Sequence, residues 1–513
     1  MIPDAPDDGM TPMNVEPAQQ PHRHGKLSPP ITRSGWGRLL IGALGVGSVL
    51  TLTLTTTPAQ GAPPRAPAPR GNTLGPGEPA NASAAAAALA GKASGTSQAA
   101  AAAAAAASDS SEAAGGTARR AAERGWTSTW GAAPQHPTPG TEDTGPNWSV
   151  SGFDDHSLRQ VIRVTTGGTA LRVRLTNRYG TRPLRIESAS VARTTKGAAT
   201  RKGTARPLRF AGRASAVLPA GAERASDAAP FRTRPGERLT LTLRTGPHTG
   251  PATLHRFTTG TSYRAQGDHV RDTSGTPYTE HTASWYYLAG ADVRGRGNAG
   301  ASLVVAGDSL IDGVGATPGR DTRLSDALAR RLATRSDRPL GVHNAGIAGN
   351  KLLHGAACYG DPGVDRLARD AFSVPGARAV LIHLGANDIG APASGDPCAQ
   401  PAPQVTAAQL IKGHQHLIRA AKSRGLTVAG TTILPLKGAR FPFWTPEGER
   451  VRRTVNHWIR TSGAYDTVLD ADQVLRDPTT PDLPDPTLVF DDNVHPNDKG
   501  YQALAQTLNL SAL

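Results

Sequence analysis

From Ala301 onward the chain alternates two kinds of segment, and this alternation restricts the fold more than any other feature. The apolar runs "SLVVAG", "LGVHNAG", "RAVLIHLG", "LTVAGTTIL" and "YDTVLD" read as strands. Between them lie helix-like stretches, "TRLSDALARRLATR", "TAAQLIKGHQHLIRAAKSRG" and "EGERVRRTVNHWIRTSG". In the second of these, Leu410, Ile411, Leu417, Ile418 and Ala421 recur at helical spacing. Strands that alternate with helices predict a parallel sheet covered by helices on both sides, an α/β fold. In such folds ligands bind beyond the carboxyl ends of the strands.

The 513 residues exceed one ordinary core, so further domains are expected. Order is expected to begin at "WTSTWGAAPQ", and residues 126–298 follow a different period. Leu171, Val173 and Leu175 alternate with Arg172, Arg174 and Thr176, a period of two, and short runs of this kind are separated by Gly, Asn and Pro turns. That pattern predicts an antiparallel β-sandwich, jelly-roll-like, without helices. The α/β domain then occupies residues 299–513.

Ahead of both, Arg23, Lys26, Arg33 and Arg38 precede the charge-free run Leu39–Thr57, which is followed by small residues at Ala59 and Gly61. Residues 1–61 therefore read as a secretory signal. The alternative is a single-pass anchor, because the run approaches the roughly twenty residues that span a bilayer. Residues 62–125 are rich in Ala, Pro and Gly, including the run Ala99–Ala107, and are expected to form a disordered linker. The expected location is secreted, or on the extracellular face of the cell if the segment stays uncleaved as an anchor.

The formal charge of +15 is uneven: residues 126–298 carry about +12 of it, against about +2 for 1–125 and +1 for 299–513. The basic segment is read either as an ordinary Arg-rich surface or as a contact for an anionic cell-surface polymer. Its arginines are scattered and not interleaved with aromatics, so no nucleic-acid partner is expected. The two cysteines, Cys358 and Cys398, form no Cys-x-x-C and no Cys/His cluster, which disfavours zinc. In an exported protein they are candidates for a disulfide closing about forty residues.

Four short motifs fall where an α/β active site belongs. "GDS" (Gly307–Ser309) follows the first strand, "NAGIAGN" (Asn344–Asn350) the second and "GAND" (Gly385–Asp388) the third, while "DDNVHPND" (Asp491–Asp498) precedes the last helix. Acyl transfer needs a nucleophile, a base within reach and donors aimed at the developing oxyanion. Ser309 is the candidate nucleophile and His495 its base. Asp492, three residues earlier, can share one turn with His495 and hold its tautomer. The Ser309 N–H, the Gly349 N–H and the Asn387 amide are the candidate oxyanion donors.

These blocks resemble those of the SGNH hydrolases, the GDSL esterase/lipase superfamily: "GDS" at Ser309, the second-block glycine at Gly349, "GxND" at Asn387 and "DxxH" at Asp492 and His495. The first block reads "GDSLIDG" where "GDSITDG" is commoner, a change beside the serine that leaves the triad intact. The resemblance implies a flavodoxin-like three-layer α/β/α domain, no metal or other cofactor, and ester hydrolysis through an acyl-serine. Residues 126–298 resemble the β-rich N-terminal domain of one secreted bacterial branch, in "TWGAAPQ", "VRLTNRYGTRPL" and "SWYYLAGADV".

Export, a spacer and a basic sandwich favour short acyl (acetyl) esters on an extracellular carbohydrate such as an acetylated polysaccharide. The alternatives are a lipase- or phospholipase-type acylhydrolase and a non-catalytic cell-wall or glycan-binding protein. A lipase would want an apolar wall, for which Phe441, Phe443 and Trp444 are the candidates. A metal-dependent phosphoesterase built on Asp308, Asp312, Asn387, Asp388 and His495 is disfavoured, since His343, His354 and His383 lack ligand spacing at the strand exits. For the β-rich segment a scaffold that packs on the hydrolase and shapes its cleft stands beside the binding role.

Overall fold

The computed structural model describes residues 125–140, 145, 147–295, 300–334 and 340–513; the segment expected as signal or anchor (1–61) and nearly all of the expected linker (62–125) lie outside the described residues. Within 126–298 every regular element described is a strand. One antiparallel sheet orders Thr127–Gly131, Leu288–Arg294, Gly168–Thr176 and Glu223–Ala225. A second orders Glu280–Thr282, Ser262–Gln266, His156–Arg163, Arg238–Thr245, Leu184–Arg193 and Arg206–Leu208. Leu171, Val173 and Leu175 from the first and Leu239, Leu241 and Leu243 from the second enter one shared apolar core. The arginines that alternate along Gly168–Thr176 are covered as well. Asp292 on the neighbouring strand takes Arg172 at 2.9 Å and Arg174 at 3.3 Å, and the Trp126 ring lies 4.5 Å under the Arg172 guanidinium.

The second part holds five parallel strands in the spatial order Leu340–Gly346, Ala301–Gly307, Ala377–His383, Thr427–Thr431, Thr467–Leu469. By chain position that is 2-1-3-4-5, the flavodoxin-like winding. The strands have no exposed apolar face: Leu303, Val304, Val305, Val380, Leu381 and Ile382 are all fully buried. Helices Leu324–Ala333 and Asp498–Thr507 pack together, while Gly363–Asp370, Ala407–Lys422 and Pro446–Thr461 form a second group. The result is a three-layer α/β/α sandwich.

Local chemistry explains the helix starts. Thr406 Oγ1 accepts from the Gln409 N–H while Gln409 Oε1 accepts from the Thr406 N–H, a reciprocal cap. Thr445 caps Gly448 N, with Pro446 in the first turn. Helices Gly363–Asp370 and Ala386–Ser394 were not legible from periodicity. The first is short and dominated by charge, and the second carries Pro392 and Gly390 inside it.

The two parts meet along the edge strand Leu340–Gly346. Thr165 Oγ1 accepts from Val342 N at 2.8 Å, and its single proton faces Thr129 O at 2.7 Å and Val342 O at 3.1 Å. Ser128 Oγ bonds His343 Nδ1 at 2.8 Å, and Ser128 N donates to Ser302 Oγ at 3.0 Å. At Val342 the edge of the parallel sheet is thus covered by the β-rich part.

Candidate active site

Strand register brings the motifs together. Gly307 pairs with both Gly346 and His383, so the chains leaving these three strands emerge at one level on the carboxyl edge of the sheet. Gly307 must be glycine: a Cβ there would stand 2.0 Å from the His383 carbonyl oxygen. Asp308 then caps the short helix Ser309–Asp312. Its Oδ1 accepts from Leu310 N at 3.2 Å and bonds His383 Nδ1 at 2.8 Å. Asp308 Oδ2 and His383 Nε2 are buried without a hydrogen-bond partner.

Ser309, half-buried at the start of that helix, has its Oγ 2.7 Å from His495 Nε2. His495 Nδ1 lies 2.6 Å from Asp492 Oδ2. The turn between Asp492 and His495 holds the carboxylate still, because Asp492 Oδ1 accepts the N–H groups of Val494 and His495, both at 2.9 Å. Asn493, with φ of 58°, makes the left-handed step that closes this turn. Burial opposes ionisation of Asp492, yet the charge and hydrogen bonds of His495 and the two N–H groups hold its carboxyl below the usual carboxylate range. Burial likewise opposes charging of His495; Asp492, with Asp308 adding its field, nevertheless raises the imidazole above its ordinary value. The chain Asp492–His495–Ser309 therefore sets an imidazole of raised proton affinity between a hydroxyl and a carboxylate held toward its ionised form.

The second motif supplies a turn. Asn350 N donates to Ile347 O at 3.0 Å, and Gly349 occupies its left-handed position with φ of 80°. A side chain at Gly349 would also collide with Tyr359, whose ring lies 2.4 Å from where a Cβ would stand. Among the described residues neither the Ser309 nor the Gly349 N–H has an internal acceptor. Asn387, in the first turn of Ala386–Ser394, donates one amide hydrogen to Asn350 O at 3.0 Å and keeps its second free. Its neighbour Asp388 accepts from Leu352 N at 2.7 Å and Leu353 N at 2.9 Å, which fixes the chain just beyond the turn.

Three residues of the site carried no sequence signal. Arg366, fully buried, donates to Asn350 Oδ1 (2.9 Å), Ala345 O (2.9 Å) and Gly307 O (2.8 Å), so one guanidinium ties the serine turn to the glycine turn. It lies in a helix that periodicity did not reveal. His255 reaches the site from the strand Leu254–His255 of the β-rich part, and Tyr359 from the segment just after the glycine turn.

The residues weighed above as metal ligands have protein partners instead: Asp388 holds two backbone N–H groups, and Asp312 bonds His255 and Ala348 N. Among the described residues no group of three His, Cys, Asp or Glu is placed to hold a metal ion. Cys358 and Cys398 are joined in a disulfide with a Cα–Cα distance of 5.1 Å. Phe443 is buried against Gly390, and Phe441 and Trp444 pack on the same α/β core.

Comparisons with known proteins bear on this geometry. A family model described as GDSL-like Lipase/Acylhydrolase matches residues 305–503, which contain every residue of the hydrogen-bonded chain. Similar solved structures include an aryl esterase of M. smegmatis (16% identity over 40% of this chain and 95% of that one, TM-score 0.32). They also include a carbohydrate acetylesterase family member from Sinorhizobium meliloti (18%, 40% and 94%, TM-score 0.31) and a GDSL-like lipase from Bacteroides thetaiotaomicron (14%, 41% and 87%, TM-score 0.30). No curated protein matches the chain. With the family match lying over the parallel sheet and its four motifs, residues 305–503 of this chain are a GDSL-like lipase/acylhydrolase domain.

Proposed function

We propose that the protein is a secreted serine esterase that hydrolyses short-chain acyl esters, acetyl esters of an extracellular carbohydrate foremost, through an acyl-serine. The observation that carries this reading is the unbroken chain Asp492–His495–Ser309, at 2.6 and 2.7 Å, beside two N–H groups without acceptors.

The steps follow from the positions. His495 Nε2 takes the Ser309 Oγ proton as Oγ attacks the ester carbonyl carbon, and the carbonyl electron pair moves onto oxygen. The N–H groups of Ser309 and Gly349 and the free Asn387 amide hydrogen receive that oxyanion. Collapse breaks the bond to the alcohol oxygen, which leaves with the proton from His495. A water then gives its proton to His495 and attacks the acyl-serine; the acid departs and Ser309 recovers its proton. Asp492 stays ionised throughout and stabilises the imidazolium.

The preference for short acyl groups is supported by the aromatic loop. Phe443 is buried and its two neighbours pack on the core, so this trio is engaged within its own domain and not held out to a long chain. The test is hydrolysis of p-nitrophenyl esters of two to twelve carbons with EDTA present, beside the Ser309→Ala variant and an acetylated polysaccharide. Serine-dependent turnover favouring acetate, with acetate released from the polymer, is the expected result. Preference for chains of eight carbons or more without release from the polymer would overturn the substrate assignment.

A further inference from the structure

His255 belongs to the β-rich part, on the two-residue strand Leu254–His255, yet its ring reaches the nucleophile helix. Nδ1 lies 2.9 Å from the Ala133 carbonyl oxygen and Nε2 lies 3.0 Å from Asp312 Oδ1. A carbonyl oxygen accepts only, so Nδ1 is the donor there, and a second proton must sit between Nε2 and Oδ1 for that contact to be attractive. Histidine and aspartate are both buried, so an unmatched contact between them would be costly. The imidazole is also stacked on Trp285, with ring centres 5.6 Å apart and 27° between the planes, and Trp285 in turn meets the edge of Trp130. The ring has little freedom to turn away.

Asp312 is the last residue of the helix Ser309–Asp312. While Oδ1 bonds His255, its Oδ2 accepts from Ala348 N at 2.8 Å. Ala348 immediately precedes Gly349, the residue whose N–H is assigned to the oxyanion. One carboxylate thus joins the helix that carries the nucleophile to the turn that carries the donor, and a histidine from the other part of the chain fixes that carboxylate. A second contact meets the same turn from another side. Arg256 stacks on the Tyr359 ring at 4.8 Å, Tyr359 packs against Gly349, and Gln135 Nε2 donates to Cys358 O at 3.0 Å.

We infer that the β-rich part is built into the active site, and that His255 is a positioning residue that sets the Ala348–Gly349 turn through Asp312. This rests on the esterase reading, since the turn matters only if Gly349 N–H receives an oxyanion. Positional errors of about an ångström at a reacting centre cost on the order of a hundredfold in rate. Removal of the link should therefore lower kcat and, because acylation and deacylation both form an oxyanion at the same turn, leave KM nearly unchanged.

The test uses the full chain and two substitutions that each keep one half of the histidine. His255→Gln retains a donor where Nε2 stood, facing Asp312; His255→Asn retains one only where Nδ1 stood, facing Ala133. Active sites are counted by titration with a p-nitrophenyl phosphonate, so that kcat is expressed per reactive serine and any misfolded fraction drops out. His255→Gln is expected to keep kcat within about threefold of the parent, while His255→Asn loses about tenfold or more at constant KM. In the Asp312→Asn background the two should become indistinguishable. Equal kcat per site for the asparagine and glutamine variants would overturn the inference, as would a loss confined to the titrated fraction. The Ser309→Ala control separates the two claims: if it is inactive while both His255 variants match the parent, the esterase reading stands and the positioning role falls. If it is as active as the parent, both fall.

Discussion

His495 bonds one carboxylate and feels the field of a second, and its proton affinity follows from both. Its imidazole is raised above the ordinary value of 6.5 because Asp492 bonds Nδ1 and Asp308 adds its field, against the opposing effect of burial. A group whose folded pKa is raised favours its protonated form, whereas the base must be neutral to accept the serine proton. The plot of kcat/KM against pH should accordingly rise through an apparent pKa above 6.5, the unperturbed value from which the sequence alone would place it. An acid limb centred below 6.5 would contradict the arrangement. Asn387 makes a separate prediction. Its amide keeps one hydrogen free beside the Gly349 turn, and Asn387→Ala should lower kcat by about a hundredfold or more, with KM little changed. At this scale the sequence was informative where a motif binds residues close together in the chain, as in Asp492 and His495. It was silent on Asp308: the tripeptide that contains it marks the serine, but nothing in it shows a carboxylate held against His383 and felt by His495.

Among the elements, the glycine turn and the serine turn have no direct covalent reason to stay in register. Arg366 supplies one by donating to Gly307 O, Ala345 O and Asn350 Oδ1 from a fully buried position, with Asp370 as its ion-pair partner. Arg366→Met should lower stability by about 3–5 kcal/mol, since it strips a buried aspartate of one partner and takes one donor each from Asn350 Oδ1, Ala345 O and Gly307 O, the last of which keeps the Ile347 N–H; the loss is measurable by denaturant unfolding. A drop below about 1 kcal/mol would mean that the turns hold without it. The disulfide between Cys358 and Cys398 clamps the loop beyond the turn, with a separation of 40 residues worth about 4 kcal/mol by loop closure. Reduction should bring a comparable fall in unfolding free energy. The strands of the parallel sheet and the three long helices were legible because burial on one face or both imposes a period. Gly363–Asp370 was not, because its sequence is dominated by Arg366, Arg369 and Asp370, which pair with one another within the helix while Arg366 also reaches acceptors outside it.

For the whole molecule, the β-rich part changes meaning once its contacts are known. Its strands were readable from their period of two, and its basic excess invited a binding role at the surface. What sequence could not show is that Arg172 and Arg174 bury against Asp292, that Thr165 and Ser128 bond Val342 and the His343 ring on the edge strand, and that His255 reaches Asp312. These are contacts between segments far apart in the chain, and no local pattern encodes them. Without the β-rich part, the Val342 N–H on the edge strand would lose its acceptor. Substitution of Thr165 by Val should weaken that contact by roughly 1–3 kcal/mol, since the Val342 N–H loses its acceptor and the shared hydroxyl proton is lost to Thr129 O and Val342 O.

The most direct measurement concerns the covalent intermediate. The full chain is mixed with p-nitrophenyl acetate, quenched in acid within the first turnovers, and its intact mass and peptides are read. One acetyl group on Ser309, in the peptide containing Leu303–Ala316 and absent from the Ser309→Ala protein, is the predicted result. Turnover that proceeds with no acetyl group on Ser309, or that persists in the Ser309→Ala protein, would contradict the account.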